Sequence, residues 1–562
     1  MSGQKRSHGA TMLVGSPFPH PWCTDFGLFS ARSLDDWLIM EISQSLRSKN
    51  EWQRKYKDET IASKWKQEIR DQCKNKTNYM EEVIDYVFKE LEWYEELEST
   101  LMESSGFEIG CNEYMAISNS VITWEVKEDL KARVLPLVES FGEALDYHPG
   151  SDNKVIDLVH PSLFPLQYDI TPVFGKDNKL EIVKYTEEIQ HAKINVFNHA
   201  VSKKFQWIPA LLKLQDNGKF TFSSYINNLH PVKHKELYSS IEDVFNAIIP
   251  GLNYTLSRYA SKEHLRVRVP PGEDAYTEEL DEEKDAIYDR IDEMDQDKEE
   301  EIEALYDQIS DLEKDKSRFV LKTIRPNWEE NHPVLDQIID VRTFGSLKVI
   351  VKLANIELTP ENPSYNGGSW HVEGTINEDI VATVLYYYDM DNISESKLSF
   401  RTDYSQPNYA QHDAFYLEHF YGLKDSDLMM KNIGSIEAKE NKVVIFPNMY
   451  QHHVDSFELK DKTKSGHRKI LCFFITDPYN SNVVSSDRIP PQQKEWWDDE
   501  QLSYLYPDNT KQEILQLKSE SNQEWPLTLN YARPVREELM KERSIPQDVE
   551  NDFDRHFCFC EH

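Results

Sequence analysis

From about residue 340 to residue 480 the chain breaks into short β-type runs, and this pattern limits its fold more than any other feature. The runs are "GSLKVIVKLANIEL", "SWHVEG", "DIVATVLYYYD", "SKLSFRTD", "KVVIFPN", "QHHVDSFEL" and "HRKILCFFITDP". They are rich in β-branched and aromatic residues, and Gly, Pro, Asn and Asp punctuate them. Only "YLEHFYGL" interrupts them with a helical pattern. Strands at this spacing predict a sandwich or barrel, and a jelly roll in particular.

Helical patterns flank this region. Residues 31–272 read as mainly helical, with apolar residues at helical spacing in "ARSLDDWLIMEISQSLRSKNEWQRKY" and "TNYMEEVIDYVFKELEWYEELEST". Ser33 followed by Asp35 and Asp36 suits a helix start. "DLKARVLPLVESFGEAL" is amphipathic and is interrupted at Pro136. Residues 205–227 predict a hairpin, because β-rich runs flank "DNGK" and Asn-Gly supplies the positive φ that tight hairpins need. Residues 147–174 hold four prolines and read as an extended connector packed on a core. The expected organisation is a flexible N-terminus over 1–30, the helical region over 31–272, an acidic helical insertion over 273–318, the β domain over 319–490 and a helical tail over 491–562.

Charge narrows the partners. The chain of 562 residues has a formal net charge of −36, which argues against a nucleic-acid backbone as its partner, since phosphates call for clustered Lys and Arg. Residues 273–317 hold 21 acidic and 5 basic residues. Within them Leu280, Ile287, Ile291 and Met294 keep a heptad-like seam that Leu305, Ile309 and Leu312 resume. A long helix or helical hairpin fits, either as a solvated insertion or as an arm for a protein partner. No run is long and apolar enough for a membrane span, and the first residues lack a signal-peptide core, so a cytoplasmic or nuclear location is expected. Six scattered cysteines do not make a disulfide framework. Cys558, Cys560 and His562 in the closing "HFCFCEH" suit either a metal or a frayed tail.

The β region also carries the chemistry. In "GGSWHVEGT" His371 and Glu373 share one face of a strand. A buried carboxylate needs a hydrogen-bonded partner, a positive charge or a metal. Read alone, the pair suits a satisfied polar core network better than a metal site. His452 and His453 follow, with His452 lying 79 residues after Glu373. Two histidines and a carboxylate on a β scaffold fit the facial triad of non-haem iron(II) oxygenases, which leaves coordination positions open. Arg468 opens a strongly β run 16 residues after His452, where a guanidinium can take a carboxylate bidentately or pair with an acid such as Asp455. Three tyrosines, Tyr386 to Tyr388, lie on the strand after the first ligands; they cannot all face inward, and register decides among them. Asn227, Asn228 and His230 in "SYINNLHP" either line an entrance or hold a turn. Gly367, Gly368 and Gly374 allow tight turning around the ligand-bearing segment.

With those residues in strand order, the segment 340–480 resembles the double-stranded β-helix of iron(II)- and 2-oxoglutarate-dependent oxygenases. "HVEGTINEDIVATVLYYYD" is similar to the ligand strand and the strand after it in prolyl-hydroxylase-like members. The resemblance implies His371, Glu373 and His452 as catalytic iron ligands, with "HHV" selecting His452 over His453. It implies Tyr387 and Arg468 as the pair that binds the far carboxylate of the cosubstrate 2-oxoglutarate. Two departures stand out: the carboxylate is Glu rather than the commoner Asp, and the interval to Arg468 is long, implying an extended loop at "ELKDKTKSG". Lys397, the candidate for the lysine of a demethylase-like branch, is poorly spaced. Nearly the whole chain, through "SYINNLHP", "VIVKLANIELTP", "GGSWHVEG", "ATVLYYYD" and "GHRKIL", resembles a large fungal family catalogued as a domain of unknown function.

The fold class expected is therefore α+β, a jelly-roll, cupin-like double-stranded β-helix core wrapped by N- and C-terminal helices. The function expected is an iron(II)/2-oxoglutarate-dependent dioxygenase that hydroxylates a small molecule or a protein. The rival is a catalytically inactive cupin-like binding or scaffold protein working through the acidic arm.

Overall fold

The computed structural model describes every residue except 1–14, 22–28, 143, 176, 186–199, 296–297, 411–412, 498–499, 507–508, 522–524, 544–555 and 558–562. The N-terminal helices are α1 (Leu34–Arg47), α2 (Trp52–Lys55), α3 (Glu59–Gln72), α4 (Met80–Ser105), α5 (Trp124–Ser140) and α6 (Lys235–Ala260). Local chemistry starts α1: the Ser33 side chain accepts the Asp36 N–H, and Asp35 and Asp36 oppose the helix dipole in the first turn. Its face carrying Trp37, Leu38, Ile42 and Leu46 is buried. The 26-residue α6 is buried on most sides and packs against the β sheet, with Phe245 edge-on to Phe473 at 5.4 Å.

The acidic block forms α7 (Glu278–Asp292) and α8 (Glu299–Lys314). Leu280, Ile287, Leu305, Ile309 and Leu312 make a small core of their own with Tyr276 and Phe319. The remaining helices are α9 (Trp328–Asn331), α10 (Ala414–Tyr416), α11 (Thr510–Ser521) and α12 (Leu529–Arg543). No helix among the described residues is long and apolar enough to cross a membrane.

The early strands are β1 (Glu108–Ile109), β2 (Ala116–Ser118), β3 (Val155–Val159), β4 (Leu166–Gln167), β5 (Pro172–Phe174), β6 (Leu180–Ile182), β7 (Phe205–Gln206), β8 (Ala210–Leu214) and β9 (Phe220–Phe222). The later ones are β10 (Ser346–Leu358), β11 (Ser364–Tyr365), β12 (Ile380–Asp391), β13 (Ser396–Asp403), β14 (Met430–Ala438), β15 (Lys442–Pro447), β16 (Gln451–Val454), β17 (Phe457–Glu458) and β18 (Gly466–Thr476). Among the described residues nine strands make the largest sheet, in the order β1-β2-β15-β12-β18-β10-β8-β9, with β3 also on β10. A three-stranded sheet, β14-β13-β16, faces it through Phe400 and Phe446, whose rings meet edge-on at 5.0 Å. Pairings between named strands are antiparallel. The molecule is thus a mixed helix-and-sheet protein of the α+β class.

Two readings change in detail. Besides its hairpin, the mainly helical region 31–272 also supplies β1, β2 and β3 to the largest sheet. β1 and β2 extend the sheet beyond β15, while at the other side the 13-residue β10 pairs along its outer edge with β8 over Ser346–Val349 and with β3 over Leu353–Ile356. Those strands cover an edge that would otherwise expose its N–H and C=O groups. The residues 1–30, read as flexible, include a docked piece: Phe18 and His20 are buried, and Phe18 stacks on Tyr259 at 5.5 Å. The hairpin over 205–227 is present as β8 and β9, which meet at the "DNGK" turn with Gly218 at φ +77°.

Candidate metal centre

His371 and His452 face each other in an antiparallel bridge. The His371 N–H donates to the His452 carbonyl at 3.2 Å, and the His452 N–H donates to the His371 carbonyl at 3.0 Å. Directly opposed residues put their side chains on the same face, and the imidazole centroids lie 4.4 Å apart. His452 sits on β16 and is 4% exposed, with Phe446 edge-on at 4.9 Å. His371 is open to solvent on one side, its side chain being 46% exposed.

Glu373 completes the cluster by a different route. The segment around it is not the continuous strand that its sequence suggests. Only His371 bridges, and Glu373 lies in a bend. The Asn448 side chain acts as the missing strand partner: its Oδ1 accepts the Glu373 N–H at 2.9 Å and its Nδ2 donates to the Glu373 carbonyl at 2.8 Å. Gly367 permits the approach to β16, with φ +94° and a Cβ position 2.9 Å from the Val454 carbonyl oxygen. Glu373 Oε1 then stands 3.6 Å from His371 Nε2 and 3.5 Å from His452 Nε2. One donor atom from each of the three residues fits within 4.8 Å of the others.

The electrostatics match this placement. Burial pushes the Glu373 carboxyl up, but the two imidazoles 3.5 and 3.6 Å away outweigh it and hold it well below the usual carboxylate range. Burial lowers His371, yet Glu373 raises it further. Burial and the neighbouring His371 depress His452. The carboxylate is therefore charged, as a ligand must be. His371 Nδ1 lies 2.8 Å from the Ser369 carbonyl, which places the ring proton on Nδ1 and leaves the Nε2 lone pair for the cluster. Two imidazole nitrogens and a carboxylate are the donor set of a divalent transition metal with open positions.

Arg468 and Tyr387 project from the large sheet. Arg468 is 1% exposed; it donates to Ser396 Oγ at 2.9 Å and to the Tyr387 hydroxyl at 3.3 Å, and lies 4.8 Å over the Tyr387 ring. No carboxylate among the described residues pairs with it. Asp455 is engaged elsewhere, by Ser399 at 2.7 Å and His453 at 3.3 Å. Burial pushes the Tyr387 phenol up, and the guanidinium offsets part of this. Register separates the three tyrosines: Tyr386 donates to Asn441 at 2.8 Å and Tyr388 to Asn355 at 3.4 Å, away from Arg468.

Other candidates fall outside the cluster. His453 packs on Trp370 with centroids 4.0 Å apart, on the opposite side of β16. Lys397 is half-buried and pairs with Glu395 at 2.8 Å. Asn227 and Asn228 hold a turn, donating to the carbonyls of Leu163, Phe164 and His160. Cys558, Cys560 and His562 lie outside the described residues. Asn448 and Ser396 escape sequence reasoning because each acts on a residue distant in the chain, and Ser369, two residues before His371, because it acts through its backbone carbonyl. The one signal for Asn448 was a polar residue ending the apolar run "KVVIFP".

No curated protein matches the chain. Among solved structures, IDO from Bacillus thuringiensis is 12% identical over 24% of this chain and 46% of its own, with a TM-score of 0.16. The Fe(II)/(alpha)ketoglutarate-dependent dioxygenase TqaL is 16% identical over 25% of this chain and 46% of its own, with a TM-score of 0.17. A bsmA homolog from Methylobium petroleophilum PM1 is 11% identical over 24% and 42%, with a TM-score of 0.14. The chain spans less than half the length of each of these three proteins. Family models agree over far more of it. The model described as "Protein of unknown function (DUF4246)" matches residues 81–500, and its N-terminal companion, "Domain of unknown function DUF4246, N-terminal", matches residues 4–68. With three quarters of its length covered by the first model, the chain belongs to the DUF4246 family.

Proposed function

We propose that this protein is an iron(II)/2-oxoglutarate-dependent dioxygenase, with the two facing sheets serving as a double-stranded β-helix. The observation that carries the reading is the meeting of His371, Glu373 and His452 on a β scaffold that also buries Arg468 against Tyr387 without a counter-ion. The donor set fits iron(II), and the His371 tautomer fits ligation through Nε2. Bound iron and cosubstrate supply the oxidative chemistry, in which 2-oxoglutarate, oxygen and R–H become succinate, carbon dioxide and R–OH.

The chain's own residues do the rest. His371, Glu373 and His452 hold the metal from one side. Arg468 offers a planar fork of donors for a carboxylate, and the Tyr387 hydroxyl adds a further hydrogen bond. Ser396 fixes the guanidinium through its Nη1 contact. Phe400 and Phe446 screen His452 from water.

The test is anaerobic addition of iron(II) and 2-oxoglutarate to the purified protein, followed by oxygen and measurement of succinate. The wild type should bind one iron per chain and release succinate, slowly without substrate. His371→Ala should lower both by about tenfold or more. A wild type that binds no iron at this site overturns the reading.

A further inference from the structure

The inner face of the large sheet carries a second polar group beside the metal centre, and this inference rests on the dioxygenase reading. Lys352 on β10 lies directly opposite Cys472 on β18, and Ile356 lies opposite Arg468. Side chains alternate along a strand, so Lys352, Cys472 and Arg468 project from one face. Asp157 on β3 lies opposite Ala354 and shares that face. The Lys352 charge acts on His371, Tyr365 and Cys472 on one side and on Asp157 and His160 on the other. Cys472 also feels the Glu373 and Arg468 charges. Lys352 therefore projects from the sheet face that carries Cys472 and Arg468.

Lys352 has no ion-pair partner among the described residues. Asp157, an acid on the same face, is engaged by others through one of its oxygens. Its Oδ2 is 2.9 Å from His148 Nδ1 and 3.8 Å from the Arg536 guanidinium, which in turn binds Asp146 at 2.6 Å. An accessible ammonium without a counter-ion can take an anion as its partner. Formal charges give its valence. A divalent metal, Arg468 and Lys352 bring four positive charges; Glu373 and a 2-oxoglutarate dianion bring three negative ones. One positive charge is left unmatched.

His148, Asp157 and His160 also bring donor atoms within 4.8 Å of one another, which raises the question of a second metal. The hydrogen bonds oppose it. His160 Nδ1 accepts the Ser162 N–H at 3.2 Å, so the ring proton sits on Nε2. This is the reverse of His371, whose Nδ1 faces a carbonyl. Burial depresses His160 to about 3, so the ring is neutral and Nε2 is a hydrogen-bond donor. A cation there would meet a protonated nitrogen and the Arg536 guanidinium. Asn228 fixes the loop by donating to the His160 carbonyl at 2.9 Å.

We propose that Lys352 anchors the carboxylate of a monoanionic substrate beside the metal centre. A single ammonium supplies one positive charge, which suits a carboxylate better than a phosphate dianion.

The probes are benzoate and its neutral isostere benzamide. They are titrated into the full-length protein holding zinc(II), which supports no turnover, and 2-oxoglutarate, and read by ligand-observed NMR. Benzoate should bind about tenfold more tightly than benzamide. Lys352→Met should lower benzoate affinity by about tenfold, while Lys352→Arg retains it and both keep zinc and 2-oxoglutarate binding. If thermal unfolding shows that Lys352→Met is not folded, Lys352→Gln takes its place. Equal binding of the two probes, absence of benzoate binding, or benzoate binding unmoved by the neutral variants overturns the proposal. Loss of 2-oxoglutarate binding in Lys352→Met overturns it by giving the lysine to the cosubstrate. A second zinc lost on His148→Ala overturns it by making the cluster a metal site. A wild type that takes up no zinc or cosubstrate at all refutes the dioxygenase reading separately, and benzoate binding to that metal-free protein still reports on Lys352.

Discussion

Asn448 follows the last residue of β15 and is 1% exposed, and every polar atom of its side chain is used within the fold. It pairs with both backbone groups of Glu373 and also donates to the Ile380 carbonyl at 3.1 Å. Its own N–H donates to the Val381 carbonyl at 3.0 Å. One side chain thus ties the ligand-bearing bend to the start of β12. Asn448→Ala would leave the Glu373 N–H and carbonyl without partners, at ~1–3 kcal/mol for each group that stays buried. The larger effect should fall on the site, because supporting residues commonly change metal affinity by about 10 to 100-fold. We expect Asn448→Ala to weaken zinc(II) binding by about tenfold or more at a modest cost in thermal midpoint, and Asn448→Asp to restore little, since it lacks the Nδ2 donor. Calorimetric zinc titration of the three proteins checks this; unchanged affinity in Asn448→Ala sinks the positioning role.

At the level of elements, the α7–α8 hairpin separates most cleanly from the rest. Its ends meet: Tyr276 and Leu321 form an antiparallel bridge, and the Thr277 N–H donates to the Val320 carbonyl at 2.9 Å. Below that stem Lys316 is anchored by Asp413 at 3.5 Å and Glu273 at 3.4 Å. Replacing 278–314 by a short Gly-Ser linker should therefore leave zinc binding unchanged within about twofold, because loop closure changes little with length when the ends are already adjacent. Zinc affinity and circular dichroism of the excised protein decide it; loss of the site's metal would show that the hairpin supports the centre. This hairpin was legible in the sequence, because a heptad seam between acidic faces is local information. So were the Asn-Gly turn between β8 and β9 and the Ser33 cap of α1. Helix α5 was less so: it continues through Pro136 to Ser140, where burial of Leu130, Val134 and Leu137 holds it together. The nearness of His371 to His452 could be inferred from the resemblance. The bend at Glu373, the Asn448 clamp and Lys352 could not, because each depends on which strands become neighbours. The joining of β2 to β15 and of β3 to β10 brings residues hundreds of positions apart into register, and no local pattern carries that.

On the scale of the whole molecule, distant parts of the chain converge on the loop 375–379 that follows Glu373. Glu378 accepts the Trp207 N–H at 2.5 Å, the Thr375 N–H at 2.7 Å and Arg543 of α12 at 2.7 Å. Asn377 donates to Tyr168 and to the Ser202 carbonyl. Next to it Asp379 is 1% exposed, with His20 of the N-terminal segment 3.5 Å from its Oδ1 and Asn480 donating to its Oδ2 at 2.6 Å. The Asp477 N–H donates to the Asp379 carbonyl at 2.7 Å, so two carboxylates share this end of the sheet. Burial, reinforced by the Asp477 charge, raises the Asp379 carboxyl from 3.8 to about 8. The folded state therefore keeps a proton that the unfolded chain releases near pH 4. Between those two values the folded state binds more protons, so stability from this group falls as pH rises and levels off above about 8. Asp379→Asn removes the ionisation while keeping the size and an acceptor for Asn480. We expect the two proteins to have similar thermal midpoints near pH 5, with the wild type falling behind by several degrees near pH 8, a gap on the order of 1–2 kcal/mol. Thermal unfolding followed across that range checks it, and parallel curves for the two proteins would remove Asp379 as the source of the slope. Since Asp379 closes the loop that begins at Glu373, the same titration should loosen the metal site from behind, and zinc affinity at pH 8 should be higher in Asp379→Asn than in the wild type.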